Sequence, residues 1–98
     1  MSGSAPTIDG LTYIGVRQLT AYEESGNCCA DGAYPVRGHT IASNDPMLWH
    51  RWVYIEGYGT YYCHDRGGMS IGVIDIYLGS VSDCIAFGRR SANCYLVN

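Results

Sequence analysis

Residues 71–97, IGVIDIYLGSVSDCIAFGRRSANCYLV, decide the fold, because two β-rich runs enclose one short helical segment. Apolar side chains in residues 71–78 and 92–97 recur with a period of two, which is typical of strands. The segment between these runs, residues 80–87, favours a helix: Ser80 can cap its N-terminus, Asp83 occupies the capping-box position and Gly88 ends it. This stretch therefore predicts a strand, a helix and a second strand.

The period of two continues upstream of this stretch. It predicts four more strands, at residues 11–22, 40–42, 52–56 and 60–64. Gly15 predicts a bulge in the first of them, and Gly57 and Gly59 predict a hairpin turn between the last two. Six strands and one short helix, with glycines at the corners, predict an all-β fold that closes into a small barrel.

The composition allows one domain and excludes several classes of protein. A chain of 98 residues has no room for a second core. With 47% apolar and 15% charged residues and 13 glycines, it resembles neither a disordered chain nor a helical bundle. We expect residues 1–10 to be a flexible lead-in and residues 11–98 to form the barrel.

Charge and cysteine content predict few partners and no cofactor. The formal net charge is −3, and the six basic residues, all arginines, are scattered, so we expect no nucleic-acid binding. No apolar run is long enough for a membrane span, and the N-terminus lacks the pattern of a secretory signal. None of the five cysteines has C-x-x-C spacing, so we expect buried thiols or one or two bridges, and no metal site.

Three of the nine carboxylates lie in unusual surroundings. Asp75 interrupts the apolar run Val-Ile-Asp-Ile-Tyr, so it either faces solvent on an alternating strand or is buried in paired or protonated form. Asp65 precedes Arg66 and the pair Gly67-Gly68, whose missing side chains let the backbone approach a ligand closely. Asp45 lies in Asn-Asp-Pro, where it is either a functional acid or a turn and capping residue.

Residues 57–97 resemble the 3D (three-aspartate) domain of bacterial lytic transglycosylases, stationary-phase survival proteins and some phage lysins. The shared elements are a GYG turn, an acidic residue before a Gly-Gly turn, an Ile-Asp-Ile-Tyr strand, a short helix ending in Phe-Gly-Arg, and a closing strand. Weaker similarity upstream extends the resemblance to about residues 18–98. It implies a double-psi β-barrel in which three aspartates converge in a surface groove.

The resemblance also implies an activity, the cleavage of the MurNAc–GlcNAc bond of peptidoglycan to a 1,6-anhydro product. Asp75 matches the catalytic aspartate, with Asp65 and Asp45 as neighbours whose charges would raise its pKa. One carboxyl group suffices as acid and then base, because the nucleophile is a hydroxyl of the substrate. A glycan-binding barrel without activity, and a hydrolase that uses two carboxylates on another β-glucan, remain alternatives.

Aromatic residues are the expected contacts to sugar. The resemblance places Tyr22, Trp49 and Tyr58 near the groove, although each could equally be a packing residue. Arg66 could contact a carboxylate of a peptide stem or pair with Asp65. With peptidoglycan strands as its partner, we expect a monomeric protein at the cell wall or outside the cell.

Overall fold

The computed structural model describes residues 7–8 and 10–98. Its strands are β1 (Thr7–Ile8), β2 (Leu11–Glu23), β3 (Thr40–Ala42), β4 (Trp52–Ile55), β5 (Gly59–Asp65), β6 (Val73–Gly79) and β7 (Arg90–Val97). One α-helix, α1 (Val81–Phe87), and one turn of 3₁₀-helix, η1 (Pro46–Leu48), complete the fold. The predicted strands and helix are all present, and only η1 and the short strand β1 had no counterpart in the sequence interpretation.

Six of the strands close into a barrel. They are hydrogen-bonded in the order β2-β6-β3-β5-β4-β7, and β7 pairs again with β2. The pairs β2–β6 and β3–β5 are parallel, whereas the other four pairs are antiparallel. The register of β2 against β7 shifts at the predicted bulge, where Gly15 has a φ of 97°. The prediction of a small six-stranded barrel with one short helix is confirmed.

The two halves of the barrel have the same pairing pattern. Exchanging β2, β3 and β4 with β5, β6 and β7 converts every strand pair into another observed pair of the same direction. The helices follow the same rule, because η1 lies between β3 and β4 and α1 lies between β6 and β7. The barrel is therefore built from two halves with the same order of strands and helix.

The short strand β1 precedes the barrel and pairs only with the start of β2, where Thr7 faces Thr12 and Ile8 faces Leu11. The sheet therefore begins before the predicted boundary at Leu11. Of the rest of the predicted lead-in, Gly10 is a turn residue with a φ of 87°, and residues 1–6 and 9 lie outside the described residues.

Alternating side chains on the strands fill the barrel. The buried core consists of the inward-facing residues of every barrel strand together with Leu48 of η1; these are Leu19, Ile41, Leu48, Val53, Ile55, Cys63, Ile74, Ile76, Cys94 and Leu96. Ile74 and Ile76 are buried and flank Asp75, as the alternation in β6 predicts. The outward face of β6 is therefore available for a site.

Both helices begin at a side-chain cap. Ser80 accepts a hydrogen bond from the Asp83 amide at 3.3 Å, and Gly88, with a φ of 63°, ends α1. The carboxylate of Asp83 does not complete a capping box, because it pairs with Arg37 at 2.6 Å.

Within the described part of the chain, no helix has the length and apolar character that crossing a membrane requires.

Candidate functional site

Four residues on four adjacent strands form one row across the outer face of the barrel. Thr20 pairs with Asp75, Asp75 pairs with Ala42, and Ala42 pairs with Asp65. The two aspartates are thus separated by two inter-strand spacings, or about 10 Å between their Cα atoms. Because only the methyl group of Ala42 stands between them, the row leaves a groove flanked by two carboxyl groups.

A β-bulge turns Asp65 toward this groove. Cys63 points into the core and is fully buried, so a regular strand would send Asp65, two residues later, to the same inward face. The register of β3 against β5 shifts between Cys63 and Asp65, which aligns Asp65 with the outward-facing Ala42. The bulge therefore creates the second acidic position of the row.

Asp75 lies half-buried in the groove wall. Its Oδ1 accepts a hydrogen bond from the Thr20 hydroxyl at 2.9 Å. Burial raises the pKa of the Asp75 carboxyl above its ordinary value, the Thr20 hydrogen bond opposes this, and the charge of Asp65 adds to it. The sequence interpretation expected a raised pKa from charge repulsion; in the structure, burial is the larger cause.

Asp65 has a different environment. Its oxygens accept three hydrogen bonds, from the Tyr22 hydroxyl at 3.0 Å, the Ala30 amide at 3.0 Å and the Arg66 amide at 2.9 Å. Burial and the adjacent Asp65 raise the pKa of the Tyr22 phenol, which keeps the phenol protonated as a donor. The two aspartates of one groove are therefore differentiated, one partly desolvated and one held by donors.

The groove has a volume of about 440 Å³. One wall is the segment from Asp65 to Met69, which includes the predicted ligand-approach residues Gly67 and Gly68, and the other wall includes Tyr22 and Asp75. Asn44 holds the first wall in place, since its side-chain amide donates to the carbonyls of Gly67 and Met69, both at 2.7 Å. A cleft of this size and polarity can admit one or two sugar rings.

Asp45 does not line this groove. Its Oδ1 accepts a hydrogen bond from the Met47 amide at 2.9 Å, which caps η1, and its Oδ2 pairs with Arg17 at 2.9 Å. Both side chains of the pair are nearly buried, with exposed fractions of 11% and 12%. Asp45 is therefore a capping residue in the structure, which was one of the two interpretations of its sequence context, the other being a functional acid. The groove holds two of the three expected aspartates.

The other predicted contact residues are dispersed. The Arg66 guanidinium lies 3.9 Å from the centroid of the Trp49 ring, and its side chain forms no ion pair with Asp65 among the described residues. Tyr58 lies away from the groove, in a second cavity of about 290 Å³ beside Phe87 and Arg90. Of the predicted aromatic contacts, Tyr22 alone lines the groove between the aspartates.

A loop that covers one end of the groove was missed as part of the site. The amide of Ala30 binds Asp65, and Cys28 lines the groove. The buried side chain of His64 anchors this loop. Its Nδ1 lies 3.1 Å from Oδ1 of Asp31, and its Nε2 lies 2.9 Å from the Thr40 hydroxyl. The segment lies between the predicted strands at residues 11–22 and 40–42, and the sequence interpretation gave it no part in the site.

Burial and the charge of Asp65 raise the pKa of the Cys29 thiol to about 12, so this thiol stays protonated beside the carboxylate. The five cysteines are all free thiols, of which Cys29, Cys63 and Cys94 are buried. No group of three or more metal-binding side chains occurs in the portion of the chain that is described. The groove itself presents the carboxyl groups of Asp65 and Asp75 and the phenol of Tyr22.

No protein-family model and no curated protein matches this chain. The fold and the groove define a small mixed β-barrel with two aspartates, Asp65 and Asp75, and the exposed Glu23 lining one surface cleft.

Proposed function

We propose that this protein cleaves the MurNAc–GlcNAc bond of peptidoglycan as a lytic transglycosylase, with Asp75 as its acid and base. The observation that carries the proposal is the environment of Asp75, which is half-buried in a groove and has a raised pKa. A general acid has to hold its proton at the working pH, and burial of a carboxyl group is the usual way to achieve this. The resemblance of residues 57–97 to the 3D domain supports the same assignment.

The reaction requires two proton transfers, both within reach of one carboxyl group. Asp75 donates its proton to the glycosidic oxygen as the bond from that oxygen to C1 of MurNAc breaks. The 6-hydroxyl of the same MurNAc then attacks C1, forms the 1,6-anhydro ring and returns a proton to the Asp75 carboxylate. The products are an anhydro end and the free 4-hydroxyl of GlcNAc, so the atoms balance without water.

Asp65 is suited to an electrostatic role. Its three hydrogen-bond donors hold the carboxyl group in a fixed orientation toward the groove. A carboxylate fixed beside the sugar ring stabilises the positive charge that develops on C1 and the ring oxygen. Tyr22 and the amides of Ala30 and Arg66 would then act as positioning groups that keep Asp65 aligned.

The test is incubation of the purified protein with peptidoglycan sacculi, followed by mass spectrometry of the soluble products. We expect 1,6-anhydromuropeptides from the wild-type chain and loss of at least about 99% of that product with Asp75→Asn, in line with removal of an acid–base group. The matched control is Asp83→Asn, which removes a carboxylate of α1 paired with Arg37, outside the groove. Equal product from Asp75→Asn and wild type would refute the proposal.

The same digestion separates the second candidate, a hydrolase that uses both carboxyl groups. The presence of Asp65 and Asp75 in one groove favours this candidate, because ordinary glycosidases use two carboxyl groups. A hydrolase would release reducing ends instead of anhydro ends, and both Asp65→Asn and Asp75→Asn would abolish the reaction. Binding to sacculi without any new product would instead indicate a glycan-binding barrel.

A further inference from the structure

Beside the groove, four ring side chains that are not buried form a cluster on the outer surface of β4 and β5, and the buried ring of His64 packs under it, 5.5 Å from Tyr62 and 5.6 Å from His39. We call it the aromatic shelf, and it consists of His39, His50, Trp52 and Tyr62. Trp52 and Tyr62 face each other on the paired strands, with ring centroids 5.1 Å apart. His39 lies against both, at 5.4 Å from Trp52 and 5.8 Å from Tyr62, and the His50 ring lies parallel to Tyr62 within 6°.

The barrel core does not require this cluster. None of the four residues belongs to the buried core, and Trp52 has an exposed fraction of 44%. The side chain of His50 is 47% exposed. His39 and Tyr62 are partly exposed, so the cluster presents a continuous ring surface on which Trp52 and His50 are open to another molecule.

The backbone conformation of His50 also supports a functional role for this cluster. It is the one residue other than glycine with a positive φ, at 58°, among the described residues. This conformation costs about 1 kcal/mol or more in a residue with a side chain, and it persists only where neighbouring contacts impose it. Here the His50 amide donates to the Cys63 carbonyl at 2.8 Å, and the imidazole stacks on Trp49 at 4.2 Å. These two contacts hold the His50 backbone in this conformation and its ring beside the other rings of the shelf.

Trp49 and Arg66 make the shelf continuous with the groove. The Arg66 guanidinium lies 3.9 Å and the His50 ring 4.2 Å from the centroid of the Trp49 ring. Two groups this close cannot share one face of the ring. Arg66 and His50 therefore cover the two opposite faces of Trp49. Arg66 also lines the groove. Along β5, the shelf residue Tyr62 and the groove residue Asp65 are three residues apart, about 10 Å, a span that a short oligosaccharide covers.

We propose that the aromatic shelf is a saccharide-binding subsite, which holds a sugar ring of the same strand that occupies the groove. This inference rests on the proposed function and extends its site. The apolar C–H face of a pyranose packs on an open aromatic surface, here that of Trp52, and its hydroxyl groups can bond to the imidazole nitrogens of His39 and His50. Trp49, which the sequence suggested as a direct sugar contact, has both ring faces occupied and instead bridges the two regions.

The test is an NMR titration of the Asp75→Asn protein, which blocks the proposed reaction, with chito-oligosaccharides of increasing length and with glycan strands freed of peptide. We expect longer oligomers to shift the signals of both the groove and the shelf, and disaccharides to bind more weakly. Adding Trp52→Ala should weaken the binding of long oligomers about tenfold, the equivalent of about 1.4 kcal/mol. Trp52→Phe should retain most of the affinity, because it keeps an aromatic face.

The matched control is Tyr13→Ala, which removes an exposed tyrosine of β2 that packs on Tyr95 instead of on the shelf. Unchanged affinity in Trp52→Ala, or shelf signals that do not move with any sugar, would overturn the proposal. Shelf signals that move with protein concentration alone would assign the surface to a second copy of the chain and would overturn it as well. The shelf signals of the Asp75→Asn protein, with Trp52 intact, serve as evidence even if a shelf variant fails to fold.

Failure of the subsite and failure of the reaction are distinguishable. A wild-type chain that releases no anhydro product but binds oligosaccharide through Trp52 contradicts the proposed reaction and keeps the subsite. A Trp52→Ala chain that degrades long strands as fast as wild type and binds them equally well contradicts the subsite and keeps the reaction.

Discussion

The two halves of the barrel share one backbone plan and differ in where they carry acidic side chains. In the row across the groove, Asp75 of β6 corresponds to Ala42 of β3, and Asp65 of β5 corresponds to Thr20 of β2, under the exchange that relates the halves. The second half therefore supplies both carboxyl groups, and the first half supplies a methyl group and a hydroxyl. The fold repeats the position, and the sequence places the carboxyl groups of the row in the second half alone.

The helix starts show the reverse arrangement. In the first half an aspartate, Asp45, caps η1 and is paired with Arg17, whereas in the second half the uncharged Ser80 caps α1. The acids of the row and the acid at the helix start thus differ in use: Asp65 and Asp75 are the groups proposed to act on the substrate, whereas Asp45 supports the fold through a cap and an ion pair. This difference leads to three predictions.

The largest expected effect is on stability, from Asp45→Ala. The substitution removes the cap of η1 and leaves the Arg17 guanidinium nearly buried without its partner. Breaking a buried pair by removing one member costs about 3–5 kcal/mol, because the remaining charge is uncompensated. We expect the urea unfolding midpoint to fall accordingly, with the groove geometry of any folded fraction unchanged.

The control for this prediction is the double variant Arg17→Leu with Asp45→Asn, which keeps a capping side chain and removes both charges. It should recover a large part of the lost stability. If Asp45→Ala unfolds at the same urea concentration as wild type but loses activity, Asp45 is a functional acid and the contrast between the halves is wrong.

The corresponding substitution in the second half, Ser80→Ala, should have a smaller effect. Ser80 caps α1 through a single 3.3 Å hydrogen bond from the Asp83 amide, and none of the helix residues is fully buried. Loss of a serine cap costs about 1 kcal/mol. The same urea titration measures it, with Ser91→Ala, at an exposed serine of β7, as the matched control, because the Ser82 hydroxyl is itself hydrogen-bonded to that of Ser80 at 2.9 Å. A loss as large as that of Asp45→Ala would contradict the assignment of the large effect to the ion pair.

Much of the fold, but only part of the site, could be predicted from the sequence. The alternation in residues 71–78 allowed two positions for Asp75, solvent-facing or buried, and the structure has it on the outward face of β6 but half-buried, because period-two spacing is a local property and the covering of that face is not. It could not give the direction of Asp65, which depends on a bulge opposite β3, or the partners of Asp45, because Arg17 is 28 residues away. The hairpin turn at Tyr58 was recognised, but its position at another cavity depends on how β4 packs beside β7.

The aromatic shelf was missed for a similar reason. Its members come from four separate points of the chain, and they meet because β3 pairs with β5 and β5 pairs with β4. No spacing in the sequence connects His39 with Trp52 or Tyr62. The left-handed backbone at His50 had no signal either, since that conformation is usually occupied by glycine.

The smallest expected effect on stability comes from Asp75→Asn, which makes this position uncharged, like its neighbour Ala42 in the row. Because burial raises the pKa of Asp75, the folded chain binds more protons than the unfolded chain between the ordinary and the raised pKa. This carboxyl group therefore contributes stability at pH values below its ordinary pKa and loses that contribution as the pH rises through the raised value. The amide introduced by Asp75→Asn carries no such dependence and can still accept the Thr20 hydrogen bond, so the variant should be slightly more stable than wild type at neutral pH.

Urea midpoints of both chains at acidic and at neutral pH measure this difference, which should be confined to the upper pH. Asp31→Asn provides a contrast of opposite sign, because the Ala33 amide and His64 lower the pKa of Asp31. Wild type should therefore lose its advantage over that variant as the pH falls through the lowered pKa. If Asp75→Asn is less stable than wild type at neutral pH, the Asp75 carboxylate stabilises the barrel, and both halves use their acids for support.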